Sequence, residues 1–107
     1  MDKPYKVRYL PAFYDDLESA VLYISNTLRN SKAANKLIDS VEKAIIDRLP
    51  MADKFEKYHS ARERKYPYYR IYVGNYVVYY VVIETEYEKI MEVRRLLHSL
   101  QNRDKIL

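Results

Sequence analysis

Gly74 is the only glycine in the chain, and with Asn75 it separates two runs rich in β-branched and aromatic residues, Tyr68–Val73 and Tyr76–Glu84. A Gly-Asn loop between such runs joins antiparallel strands, because both residue types tolerate positive φ. A two-residue loop also fixes the pairing. Val73 must face Tyr76, Tyr72 face Val77, Ile71 face Val78 and Arg70 face Tyr79. Parity then sorts the side chains. Ile71, Val73, Val78, Tyr80 and Val82 point to one side of the sheet, and Tyr68, Arg70, Tyr72, Val77, Tyr79 and Val81 to the other.

The apolar side needs a cover, and the N-terminal half supplies one. Tyr5–Leu10 alternates with period two and reads as a strand. Pro11 suits the first position of a helix, where its missing N–H leaves nothing unpaired. Phe13, Leu17, Ala20, Val21, Ile24 and Leu28 then make one helical stripe. Asn30 or Ser31 can cap a second helix, whose stripe is Ala34, Leu37, Ile38, Val41, Ala44, Ile45 and Leu49; Pro50 ends it. These form an antiparallel helix hairpin with a shared apolar face. Met51–Tyr66 shows no period and reads as a loop pinned by Phe55 and Tyr58. A turn near Thr85–Glu88 leads to a last strand, Lys89–Leu97. Simple alternation there sends Met91, Val93 and Leu97 towards the helices, and Glu92, Arg94, Leu96 and His98 to the open face. Arg95 breaks this pattern on the helix side.

The expected fold is therefore α+β. An N-terminal strand and a two-helix antiparallel hairpin precede a three-strand antiparallel meander, with both helices on one face of a mostly antiparallel sheet. Residues 1–107 are expected to form a single domain. With 49% hydrophobic and 32% charged residues, the chain is neither disordered nor membrane-embedded in composition. No apolar run approaches the roughly 20 residues of a bilayer span. The absence of cysteine excludes disulfides and thiolate chemistry, and His59 and His98 alone make no metal site. No cofactor motif is present, since one glycine cannot build a phosphate-cradling loop. A cytoplasmic location is expected. The net charge of +4 favours acidic or phosphate-bearing partners.

Several strings carry a further signal: Tyr69-Arg70-Ile71-Tyr72-Val73-Gly74-Asn75-Tyr76-Val77-Val78-Tyr79-Tyr80, then Glu92-Val93-Arg94-Arg95-Leu96-Leu97-His98, then Asn102-Arg103-Asp104. With Tyr5-Lys6-Val7, Asp16-Leu17, Tyr23-Ile24 and Ala33-Ala34 before them, the chain resembles the RelE/ParE superfamily of toxins from bacterial type II toxin–antitoxin systems. The resemblance covers nearly the whole chain, in order. It implies a toxin that arrests growth when free of a cognate antitoxin. The antitoxin would wrap the helix hairpin and sheet, and operator DNA would be reached only through it. RelE-like members are ribosome-dependent mRNA endoribonucleases; ParE-like members poison DNA gyrase. RelE-like nucleases carry an arginine directly after an aromatic on the open face of the penultimate strand, and here Val77 follows Tyr76. Leu96-Leu97-His98 and Asn102-Arg103 also resemble the ParE-like, plasmid-stabilisation branch. A ParE-like gyrase poison is the first expectation and a RelE-like nuclease the alternative. A member that binds its antitoxin without toxicity is the third reading.

If the chain is a nuclease, His98, Arg94 and Arg70 are the catalytic candidates. Metal-free RNA cleavage needs an acid, a base and cations at one phosphate. Arg62, Arg64, Lys65, Tyr72, Tyr79 and Arg103 are candidates for phosphate or partner contact, through charge and stacking. Each has a plainer explanation. Strand tyrosines usually pack, surface arginines usually pair or stay solvated, and a histidine at a strand end is usually hydrogen-bonded. Asp15 and Asp16, early in a helix, are explained by its dipole.

Overall fold

The computed structural model describes residues 3–58, 65–101 and 103–107. Strand β1 (Tyr5–Tyr9) leads into helix α1 (Pro11–Leu22), which continues as a π-helical turn at Tyr23–Thr27. Helix α2 (Ser31–Arg48) follows and closes in a 3-10 turn, Leu49–Met51. A short strand β2 (Lys57–Tyr58) precedes β3 (Tyr68–Val73), β4 (Tyr76–Glu84) and β5 (Lys89–His98), and the last element is a single helical turn, α3 (Arg103–Ile106). The strands form one sheet in the order β1-β5-β4-β3-β2. Pairing is antiparallel except at β1, which runs parallel to β5 with Tyr5 opposite Lys89 and Tyr9 opposite Val93.

The hairpin register is the one its loop length predicts, from Val73–Tyr76 to Arg70–Tyr79. Of the two loop residues only Gly74 takes a positive φ, +58°. Pro11 opens α1, and the Asn30 side chain caps α2 by accepting the Ala33 N–H at 3.0 Å. The α2 stripe is buried as its spacing requires, at Ala34, Leu37, Val41 and Ile45. The α1 stripe slips at its end. In the π turn the Leu28 N–H donates to the Tyr23 carbonyl, five residues back, so the wider turn rotates Leu28 outward to 56% exposure.

Two departures reshape the sheet. First, β5 carries a bulge. Tyr79 pairs with Arg95 but Tyr80 pairs with Val93, which leaves Arg94 as an extra residue. Parity reverses beyond it. Leu96 joins the core under the helices, Leu97 turns to the opposite side, and His98 sits opposite Tyr76 on the helix side. The alternation expected for Leu96, Leu97 and His98 is thereby corrected, whereas Met91 and Val93, before the bulge, face the helices as expected. Second, the face away from the helices is not open. Tyr58, Tyr68, Val77, Tyr79, Val81, Leu97 and Leu107 make a second core there, with Ile106 and Tyr66 against its edge. The sheet is thus packed on both sides, by α1 and α2 on one and by the Tyr58 side chain and the C-terminal turn on the other.

Candidate functional site: an arginine and tyrosine face

The face away from α1 and α2 gathers three arginines around tyrosine rings. On β3, the Arg70 guanidinium lies 5.0 Å from the Tyr58 ring centroid and 5.8 Å from that of Tyr72. Arg103, from the C-terminal turn, lies 5.2 Å from the same Tyr58 ring, and its Nε donates to the Tyr58 hydroxyl at 3.2 Å. That hydroxyl in turn donates to Asp104. The bulge residue Arg94 lies 5.8 Å from the Tyr68 ring. Cations over ring faces are attracted by the ring quadrupole, so the tyrosines hold the guanidiniums in place while leaving their N–H edges able to donate.

Glu92 organises the other end of this face. It is 5% exposed, yet charged, because Arg94 Nε donates to its Oε1 at 2.7 Å and Arg8 Nε to its Oε2 at 2.8 Å. Burial alone would push the Glu92 carboxyl up, but the bonds from Arg8 and Arg94 outweigh it and hold it below its ordinary value. Parallel pairing of β1 with β5 puts Arg8 directly opposite Glu92. Arg8 was not foreseen, because that register joins the two ends of the chain and leaves no local signal.

The structure brings only some of the candidate residues together. Arg70, Arg94, Arg103 and Tyr72 share this face, and Tyr72 stands out at 65% exposure. Tyr79 belongs to the same side but is 1% exposed, packed edge-on against Tyr58 and Tyr68. Burial pushes its phenol up, against the pull of Arg103 and Arg70. Lys65 is exposed, 5.4 Å from the Tyr66 ring centroid. His98 lies on the other side of the sheet, edge to ring with Tyr76 at 5.2 Å, facing α1. Arg62 and Arg64 lie outside the described residues.

Asp16 does more than its place in a helix suggests. It accepts two N–H bonds from Arg95, at 2.7 and 2.8 Å, and the Leu96 N–H at 3.0 Å, tying α1 to β5 just past the bulge. Arg95 accordingly turns to the helix. Among the described residues no three acidic, histidine or cysteine side chains could hold a metal ion together. Among the described residues no helix is long and apolar enough to cross a membrane.

A strand, a helix hairpin and an antiparallel meander, in that order, agree with one family model, described as the ParE toxin of the type II toxin–antitoxin system parDE, which matches residues 7–103. The chain belongs to the ParE toxin family. No curated protein matches it. Membership implies a toxin whose partner is an antitoxin, and the ParE match runs through β1, both helices, the bulge and the first residue of the C-terminal turn. Tyr58 is the residue of this face that sequence reasoning undervalued. Its place in an aperiodic stretch marks it as a loop anchor, and nothing in the flanking residues signals that its ring carries Arg70 and Arg103.

Proposed function

We propose that this ParE-family chain arrests growth by poisoning DNA gyrase through a protein–protein contact, and that a cognate antitoxin holds it inactive in the cytoplasm. Operator DNA is reached only through that antitoxin. The observation that carries this reading over mRNA cleavage is the separation of His98 from Arg70 and Arg94 by the sheet. Acid–base cleavage of RNA requires a proton-transfer group and phosphate cations within hydrogen-bond reach of one phosphate. Val77 supports the same preference. It is 2% exposed, beneath the C-terminal turn, and contributes no cation to the face. The antitoxin contact is supported by apolar side chains left exposed on the helix hairpin, among them Tyr14, Leu22, Leu28 and Ile46.

Two assays on the same purified protein test this. Gyrase with supercoiled DNA should accumulate cleaved complexes in its presence, and ribosome-bound mRNA should remain uncut in a toeprinting reaction. Cleavage of ribosome-bound mRNA that His98→Ala abolishes would replace this reading with the nuclease. Inactivity in both assays, with antitoxin binding retained, would make the chain a non-toxic binder.

A further inference from the structure

A cavity of about 440 Å³ opens on the helix side of the sheet, between α1 with its π turn and the far end of the β4–β5 pair. Its floor includes the buried side chains Ala20 and Leu96, and its rim carries Tyr23, Tyr76, His98 and Gln101. The cavity lies away from the arginine and tyrosine face, and nothing in the gyrase reading uses it.

Apart from the hydroxyls of Ser19, Tyr23 and Tyr76, which can donate or accept, the hydrogen-bond inventory of this cavity is one-sided. Its strong acceptors are occupied. Asp16, the one carboxylate in the wall, is neutralised by the paired bonds from Arg95 and also takes the Leu96 N–H. His98 Nδ1 accepts the Leu100 N–H at 3.1 Å, and Gln101 Oε1 accepts the His98 N–H at 2.6 Å. These bonds leave donors behind. With Nδ1 accepting, a neutral His98 ring carries its proton on Nε2; with Oε1 engaged, Gln101 keeps its NH2 group. The Tyr23 and Tyr76 hydroxyls have no hydrogen-bond partner among the described residues. Burial pushes the Tyr76 phenol up and neighbouring Tyr23 adds to it, so the Tyr76 hydroxyl is held as an O–H donor.

A concave site that holds donors over an apolar floor is complementary to a ligand that brings acceptors. We propose that this cavity is a receptor for a carboxylate group, bound by the Tyr23 and Tyr76 hydroxyls, the His98 Nε2–H and the Gln101 amide. The charge of the ligand follows from the wall. Several neutral donors satisfy a singly charged oxyanion, as they do in oxyanion holes. A phosphate dianion would want a guanidinium, and Arg95 is already committed to Asp16. The carboxylate comes either from a small dicarboxylic acid or from an acidic side chain presented by another protein.

The full chain, labelled with ¹⁵N, is titrated at neutral pH with glutarate and, separately, with a short end-blocked peptide containing one glutamate. The same peptide with glutamine in its place is the control. Saturable shifts of the His98 ring and Gln101 amide signals are expected with at least one carboxylate ligand and not with the control. Shifts with glutarate assign the site to small acids as well; shifts with the glutamate peptide alone assign it to a protein side chain. Tyr76→Phe and His98→Phe should each weaken binding by roughly tenfold or more, the usual consequence of deleting a hydrogen bond to a charged group. Both keep an aromatic ring at the Tyr76–His98 contact, and their backbone amide spectra report whether the fold persists. The proposal is overturned by an absence of saturable shifts with both carboxylates, by equal shifts with the glutamine peptide, or by unchanged affinity in both folded variants.

Discussion

Leu96 and Leu97 are consecutive residues of one strand, and both are buried, at 3% and 1% exposure, in cores on opposite sides of the sheet. Each lies against a full layer, so neither side of β5 is a solvent face. Leu96→Ala and Leu97→Ala should therefore each cost about 2–4 kcal/mol, the range for truncating a buried leucine. Urea denaturation of the two variants checks this. A near-neutral Leu97→Ala would mean that the C-terminal turn does not cover the sheet.

Asp53 makes stability depend on acid pH. A hydrogen bond from Tyr5, then one from Lys89 at 2.9 Å, lower its carboxyl to about 2. A depressed folded value means that the contribution is complete above the unfolded value near 4 and disappears as pH falls through about 2. Asp53→Asn should lose on the order of 2 kcal/mol at pH 7 and little near pH 2. Denaturant melts of both proteins across that window measure the difference.

Glu92 is the one buried charged side chain among the described residues, and it neutralises two arginines. Glu92→Ala leaves Arg94 half-buried without its carboxylate and should destabilise by about 2–3 kcal/mol. That lies below the full value for a wholly buried pair, because the Arg8 side chain is 52% exposed. Arg8→Ala should cost under about 1 kcal/mol for the same reason. Thermal melts at neutral pH separate the two.

Arg29 sits between the π turn and α2 with φ of +52°, a conformation that glycine adopts without the Cβ clash. Arg29→Gly should stabilise the protein by about 0.5–1 kcal/mol, a few degrees in melting temperature for a domain of this size. Asn30→Ala, next to it, should do the opposite by about 1 kcal/mol, because it removes the cap on Ala33 N–H. Calorimetry on the pair gives both signs.

Local chemistry explains what the sequence made legible. The Gly74-Asn75 loop fixes four residue pairs by length alone, and Pro11 and Asn30 mark helix starts through groups they lack or supply. The misplacement of Leu96, Leu97 and His98 came from carrying period two across a bulge. The doublet Arg94-Arg95 was its visible trace, whereas Leu96-Leu97 reflects a strand covered on both faces. Leu28 was lost to a wider helical turn in the same way. The candidate face was legible in its arginines and not in its depth. Tyr79 reads as a half-exposed strand tyrosine until Leu107 and Tyr58, far away in sequence, are placed over its side of the sheet. Arg8 and Glu92 meet only because β1 pairs in parallel with β5, and no window of sequence contains both.

That parallel pairing also orders events during synthesis. Residues 5–9 leave the ribosome early, and their partners, residues 89–93, about 80 residues later. At roughly 5–20 residues per second, β1 waits several seconds or longer with its backbone groups unpaired by any strand. The helix hairpin can form meanwhile, as its contacts are local, but the layer beneath it cannot close. β5 is central, flanked by β1 and β4, so its arrival completes two pairings at once. A ribosome stalled before β5 therefore carries a nascent chain with its helices made and its sheet still open at the middle.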